Sequence, residues 1–136
     1  MLYVTKQDYK TIVAYCQQQL PFEACGLLGG RVDGVDGYVK SVLFLTNIDY
    51  SETHFSMNPK EQFAAIKDLR SCGFVLLGNF HSHPKTSAEP SKEDRRLAND
   101  RGFRYLILSL MDAKPVLRAF YLNEKGRLEE EKLVVV

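Results

Sequence analysis

The chain has 136 residues, 45% of them hydrophobic and 26% charged, a length that suits one domain with one core, since domains most often run to about 100–150 residues. Its net charge of +1 supplies no field for nucleic acid or an anionic membrane, and no apolar run approaches the roughly 20 residues that span a bilayer. The opening MLYVTKQDYK has no basic-then-apolar leader pattern, so the expectation is one cytoplasmic domain over residues 1–136.

Elements follow in chain order. Thr5 with Asp8 three residues on has capping-box spacing and opens a first helix. Tyr9, Ile12, Val13, Cys16 and Leu20 then form a one-sided apolar stripe, and Pro21 ends it. CGLLGG reads as a short buried strand, RVDGVDG as a turn and YVKSVLFLTN as a second strand, together a hairpin. A second helix is capped by Asn58, takes Pro59 at its first position and closes at Gly73. FVLLGNF is an almost unbroken apolar run, as in a central strand covered on both faces. HPKTSAEP is loop, and a third helix runs from about Ser91 to Arg101, stopped by Gly102. FRYLILSL, VLRAFYL and LEEEKLVVV are three more strands in an antiparallel meander, the last with an apolar end suited to an edge or an interface. The order α-β-β-α-β-α-β-β-β implies an α+β fold, an α/β sandwich. Its sheet is mixed, mostly antiparallel and six-stranded, flanked by three helices.

His81 and His83 stand two apart at the end of the central strand, so extended backbone sends both imidazoles to one face, where they can share a metal ion. Pro84 then turns the chain outward. In SKED, Ser91 caps a helix and Asp94 sits in its first turn. The loop from Pro84 to Pro90 is long enough to bring that carboxylate back over the histidines. Two His and one Asp make a three-ligand zinc site with a fourth position open to water, the arrangement of hydrolytic rather than structural zinc. Two readings of Glu23, in LPFEACGLLGG, stand side by side: an exposed acid at a helix-to-strand turn, or a carboxylate poised to move a proton. Three cysteines, Cys16, Cys25 and Cys72, are an odd number without CxxC spacing, so buried reduced thiols are expected.

EACGLLGG followed by HSHPKTSAEPSKED resembles the JAMM signature of the MPN-plus metalloproteases: a glutamate before a small glycine-containing strand, His-x-His-Pro, then Ser-x-x-Asp after seven residues. The resemblance covers essentially the whole chain and implies a cytidine-deaminase-like JAMM/MPN core. It implies one Zn²⁺ per chain held by His81, His83 and Asp94. It gives Glu23 the part of general acid/base and Ser91 that of hydroxyl donor to the oxyanion. His54, upstream in THFSMNP, is expected on the surface or substrate side and not as a ligand, and Cys25 is expected as core packing. Family members hydrolyse peptide or isopeptide bonds at the C-terminus of ubiquitin-like proteins. A chain this near to the minimal core is similar to the stand-alone prokaryotic members, whose partners are small ubiquitin-fold sulfur carriers ending in Gly-Gly. The expected activity is therefore hydrolysis of the bond after that tail, cysteine release included, by a monomer or weak homodimer. The alternative is a non-catalytic MPN scaffold that serves as an interaction module.

Overall fold

Local signals start and stop the helices in the computed structural model, which describes residues 1–136. Thr5 Oγ1 accepts the Asp8 amide at 3.0 Å and opens α1 (Lys6–Gln18). Asn58 Oδ1 accepts from the Lys60 and Glu61 amides at 2.9 and 3.4 Å and opens α2 (Pro59–Ser71), with Pro59 in the first turn where no amide is missed. The third helix, α3 (Lys92–Leu97), is shorter than the expected span to Arg101. No residue of α3 is buried, so no apolar face holds further turns against the sheet once its cap is spent.

The strands are β1 (Leu2–Val4), β2 (Cys25–Asp33), β3 (Asp36–Leu45), β4 (Val75–His83), β5 (Arg104–Ser109), β6 (Val116–Leu122), β7 (Leu128–Glu131) and β8 (Leu133–Val135). They form one sheet in the order β7-β6-β5-β4-β2-β3-β1-β8. The expected six-stranded sheet is thus an eight-stranded one, for two reasons. Three residues, Leu2–Val4, pair in parallel with both β3 and β8, a strand too short to show a period of its own. LEEEKLVVV is not one strand but two. Its first half pairs with β6 and its second with β1, with only Lys132 between them. The two outermost strands of the sheet are therefore neighbours along the chain, and the sheet curls until its edges nearly meet. β2–β3, β2–β4, β5–β6 and β6–β7 are antiparallel, while β1–β3, β1–β8 and β4–β5 are parallel. The mixed, mostly antiparallel sheet and the three helices are as expected.

Alternation along the strands builds two layers. Leu28 and Phe80 face α1, where Ile12 and Cys16 join Leu2, Val4 and Leu106 in a core with no exposure. Leu27 and Cys25 face the other way and pack with Leu45 and Ala65 of α2. Gly29 lets α2 approach: a Cβ built there would lie 2.1 Å from Leu69 Cδ2. Cys16 and Cys25 are buried free thiols, whereas Cys72 is exposed, because the helix it caps ends at the surface.

Candidate metal centre

β4 and β2 place the first groups. Cys25 pairs with His81 in antiparallel register, and the ladder runs on as Ser82 N donates to Ala24 O at 3.0 Å. Ser82 Oγ also accepts the Ala24 amide at 2.8 Å. Continued by two residues, the register sets Glu23 across from His83. His81 and His83 project to one face, the one covered by α2, and both are 4% exposed. The chain leaves β4 at Pro84, and the loop returns to the cap of α3. There Ser91 Oγ accepts the Asp94 amide at 3.0 Å and Asp94 Oδ2 accepts the Ser91 amide at 2.9 Å. This reciprocal box fixes the Asp94 carboxylate over the imidazoles.

His81 Nε2, His83 Nε2 and Asp94 Oδ2 form an equilateral triangle with 3.1 Å sides. Each ring nitrogen has one in-plane hydrogen or lone pair, so it cannot point along two edges at once. The triangle instead suits one ion common to all three atoms. Ligands 2.0–2.1 Å from a tetrahedral zinc lie about 3.3 Å apart, close to the observed edge, and no other His, Cys, Asp or Glu cluster in the chain has ligand atoms so placed. Burial pushes the His81 imidazole down, toward the neutral form that ligates metal. Burial acts the same way on His83, but Asp94 and the Ser87 carbonyl outweigh it and raise its pKa. Burial alone would raise Asp94; hydrogen bonds from the two imidazoles hold it far below the carboxylate range. His83 Nδ1 donates to Ser87 O at 2.7 Å, and Phe55 stacks on the His81 ring with centroids 4.7 Å apart.

Glu23 is 4% exposed, so the reading of an exposed turn acid is set aside. Burial pushes its carboxyl up to about 8, against the opposing pull of His83 and with help from Asp94 and Glu93. Its backbone is clamped from both sides of the peptide: Glu23 N donates to Ser51 O at 2.8 Å and Asn47 Nδ2 donates to Glu23 O at 3.0 Å. Glu23, His83 and Ser91 line one cleft of about 450 Å³ with Glu52, Thr53 and Lys85, and no hydrophobic side chain lines it. Lys85 Nζ and Glu52 meet at 2.9 Å across this cleft. Ser91 uses an oxygen lone pair for its cap, which leaves its hydroxyl hydrogen free to donate. The fold thus brings together Glu23, His81, His83, Ser91 and Asp94.

His54 stays outside the triangle. It is exposed and its Nδ1 meets Asp49 Oδ2 at 3.1 Å. Cys25 is buried, its Sγ contacts Leu45 O at 3.7 Å, and burial pushes its thiol up to about 12, so it packs and does not react. Sequence reasoning missed Asn47. Its amide donates to Glu23 O and His54 O and accepts from the Asp49 and Ser56 amides, which ties the 47–57 loop to the glutamate. Asn before Ile-Asp reads as an ordinary turn residue, and only the loop's path shows otherwise.

A curled mixed sheet thus carries a buried His-x-His at the end of β4 and a buried glutamate leading into the strand beside it, with a His-His-Asp group suited to a metal ion. The family described as prokaryotic homologs of the JAB domain matches residues 5–123. The chain is 30% identical to a CysO-cysteine peptidase of Mycobacterium tuberculosis over 92% of its own length and 84% of the relative's. It is 27% identical to a desampylase of Pyrococcus furiosus, over 97% and 89%. A solution structure of protein DSY2949 from Desulfitobacterium hafniense shares 49% identity, with a TM-score of 0.91 over 100% of this chain and 93% of that one. The chain belongs to the prokaryotic JAB family, of JAMM/MPN type, and is a hydrolase of the peptidase class.

Proposed function

We propose that this chain is a zinc-dependent peptidase that hydrolyses the bond after the C-terminal Gly-Gly of a small ubiquitin-fold or sulfur-carrier protein. The observation that carries it is the 3.1 Å triangle of His81, His83 and Asp94 with buried Glu23 on the neighbouring strand. His81, His83 and Asp94 would hold the zinc, which would supply Lewis acidity and lower the pKa of water to about 7. Glu23 serves as general base toward the attacking water and then hands the proton to the leaving amine. Burial raises this carboxyl in the metal-free chain and the charge of a bound dication would lower it again, a balance that suits a group that takes a proton and returns it. Ser91 donates its hydroxyl hydrogen to the oxygen that gains charge as the carbonyl is attacked. Asn47 and Ser51 hold the Glu23 backbone and so fix where its carboxylate can reach.

The named activity of the Mycobacterium tuberculosis relative, on CysO-cysteine, supports a carrier adduct as substrate. So does the cleft, where Lys85 and Glu52 stand beside Glu23 and Ser91 and suit a polar leaving group. The test is direct. The full chain, loaded with one equivalent of zinc, is incubated with carriers ending in Gly-Gly and joined to cysteine or to a lysine side chain. Release is followed by mass spectrometry. Turnover of either adduct is expected; no turnover of any Gly-Gly adduct by fully loaded protein would refute the assignment.

A further inference from the structure

We infer that Asn79 positions the metal ligand His81 through one bound water, which accepts the His81 Nδ1 hydrogen and donates to Asn79 Oδ1. This inference rests on the metal-binding part of the function proposed above. Two buried side-chain polar atoms in the chain lack a hydrogen-bond partner within the protein, and they are Asn79 Oδ1 and His81 Nδ1. Both belong to β4 at positions i and i+2, so they share a face with Cα atoms about 6.6 Å apart. Both line the same pocket, of about 80 Å³, which is otherwise walled mainly by apolar side chains, Phe55, Leu97 and Ile107 among them. One water needs about 10–15 Å³ of such space, so the pocket has room for it. Two hydrogen bonds through one water reach up to about 5.6 Å.

The two orphans are chemically complementary. If His81 Nε2 gives its lone pair to the triangle, the neutral ring must carry its hydrogen on Nδ1, and that hydrogen needs an acceptor. Asn79 Oδ1 is an acceptor that needs a donor. A water oxygen can accept from the first while its own hydrogen serves the second. A metal-ligating histidine almost always donates its remote N–H to a carboxylate, carbonyl or water, which fixes ring orientation and tautomer. His83 meets this demand through Ser87 O at 2.7 Å, whereas His81 has no protein group that does. The polar Asn79 within the apolar run FVLLGNF is otherwise unexplained, because it makes no side-chain hydrogen bond that would keep it there.

Zinc affinity of the full chain, measured by competition with a chromophoric chelator, tests the assignment without reference to turnover. Asn79→Leu keeps the volume and removes the acceptor. It should weaken zinc binding about 10–100-fold while leaving unfolding of the metal-free protein near that of wild type. Asn79→Asp restores an acceptor and should bind zinc at least as tightly as wild type. In the zinc-loaded wild type, the His81 Nδ1–H should give a slowly exchanging proton resonance that Asn79→Leu loses. Wild-type affinity and an unaltered resonance in Asn79→Leu would overturn the Asn79 role and leave the proposed function standing. A wild-type chain that binds no zinc would overturn both. Should Asn79→Leu not fold, Asn79→Asp decides: a zinc affinity below wild type would refute the inference.

Discussion

At the scale of single residues, the site turns on what burial does to Glu23. A carboxyl pushed up to about 8 by burial holds a proton in the folded chain over a range where the unfolded chain, with its ordinary value near 4.5, has released it. The native state then binds more protons than the unfolded state between about pH 4.5 and 8. This group's contribution to stability is fully present below that window and is lost as pH rises through it. Urea midpoints of the metal-free protein should therefore fall more steeply with pH for wild type than for Glu23→Gln, which has no proton to lose. The same variant should retain zinc and lower the rate of adduct cleavage by about 10²–10⁴-fold, the range for a positioned acid or base. Equal rates for the two would remove Glu23 from the chemistry. His81, His83 and Asp94 could be grouped from the sequence because they fall within one fourteen-residue stretch whose spacing the local backbone enforces, whereas Ser91 read there only as a helix cap and owes its proposed donor part to the resemblance. Glu23 kept two readings until the resemblance chose between them, since no local rule says that residue 23 lies beside residue 83. Asn47 was not legible, because its four hydrogen bonds depend on a loop path that no period encodes.

At the scale of elements, two short segments carry the site, and each hangs on one side chain. α3 buries nothing, so its first turn depends on the box between Ser91 and Asp94, and that box also aims a proposed ligand. Ser91→Ala should cost about 1 kcal/mol as a lost cap, seen in chemical denaturation. It should also weaken zinc binding, measured by chelator competition, besides slowing cleavage. A variant that slowed cleavage with zinc affinity intact would show that the cap does not hold Asp94. The 47–57 loop depends on Asn47, whose amide is buried and fully bonded. Asn47→Ala leaves the Glu23 carbonyl and the loop amides without that partner, a loss of about 1–3 kcal/mol. Because the loop holds the Glu23 carbonyl and also carries Phe55 onto the His81 ring, the expected outcome is a lower kcat together with weaker zinc binding, the latter read by chelator competition. The lengths of elements were the least legible feature at this scale. α3 reads as longer than it is because RRLANDR has helical residues but no apolar face to bury.

At the scale of the molecule, the curled sheet separates the end that holds the site from the end that closes the fold. The histidines lie at the last residues of β4, whereas β5, parallel to it, begins at Arg104 beside Gly78. Arg104 is a buried cation there: its Nε donates to Glu131 Oε1 at 3.1 Å, both side chains are 10% exposed, and its guanidinium also donates to Val35 O. It thereby ties the start of β5 to the end of β7 and to the β2–β3 turn, where the two edges of the sheet come together. That closure could not be read from LEEEKLVVV, because an unbroken strand pattern says nothing about the chain changing partners at Lys132. Arg104→Met should leave Glu131 with only the N-terminal ammonium, 3.6 Å from its Oε2, so the loss should stay below the about 3–5 kcal/mol of a buried pair broken outright. The loss should appear as an early unfolding midpoint in denaturant. In the fraction that remains folded, zinc affinity and the rate per folded molecule should stay near wild type, because nothing in the triangle touches β7. An Arg104→Met protein of wild-type stability would mean that the pair contributes nothing to closure. One that is stable but fails to bind zinc would mean that the two ends of the sheet are coupled through β4 and β5.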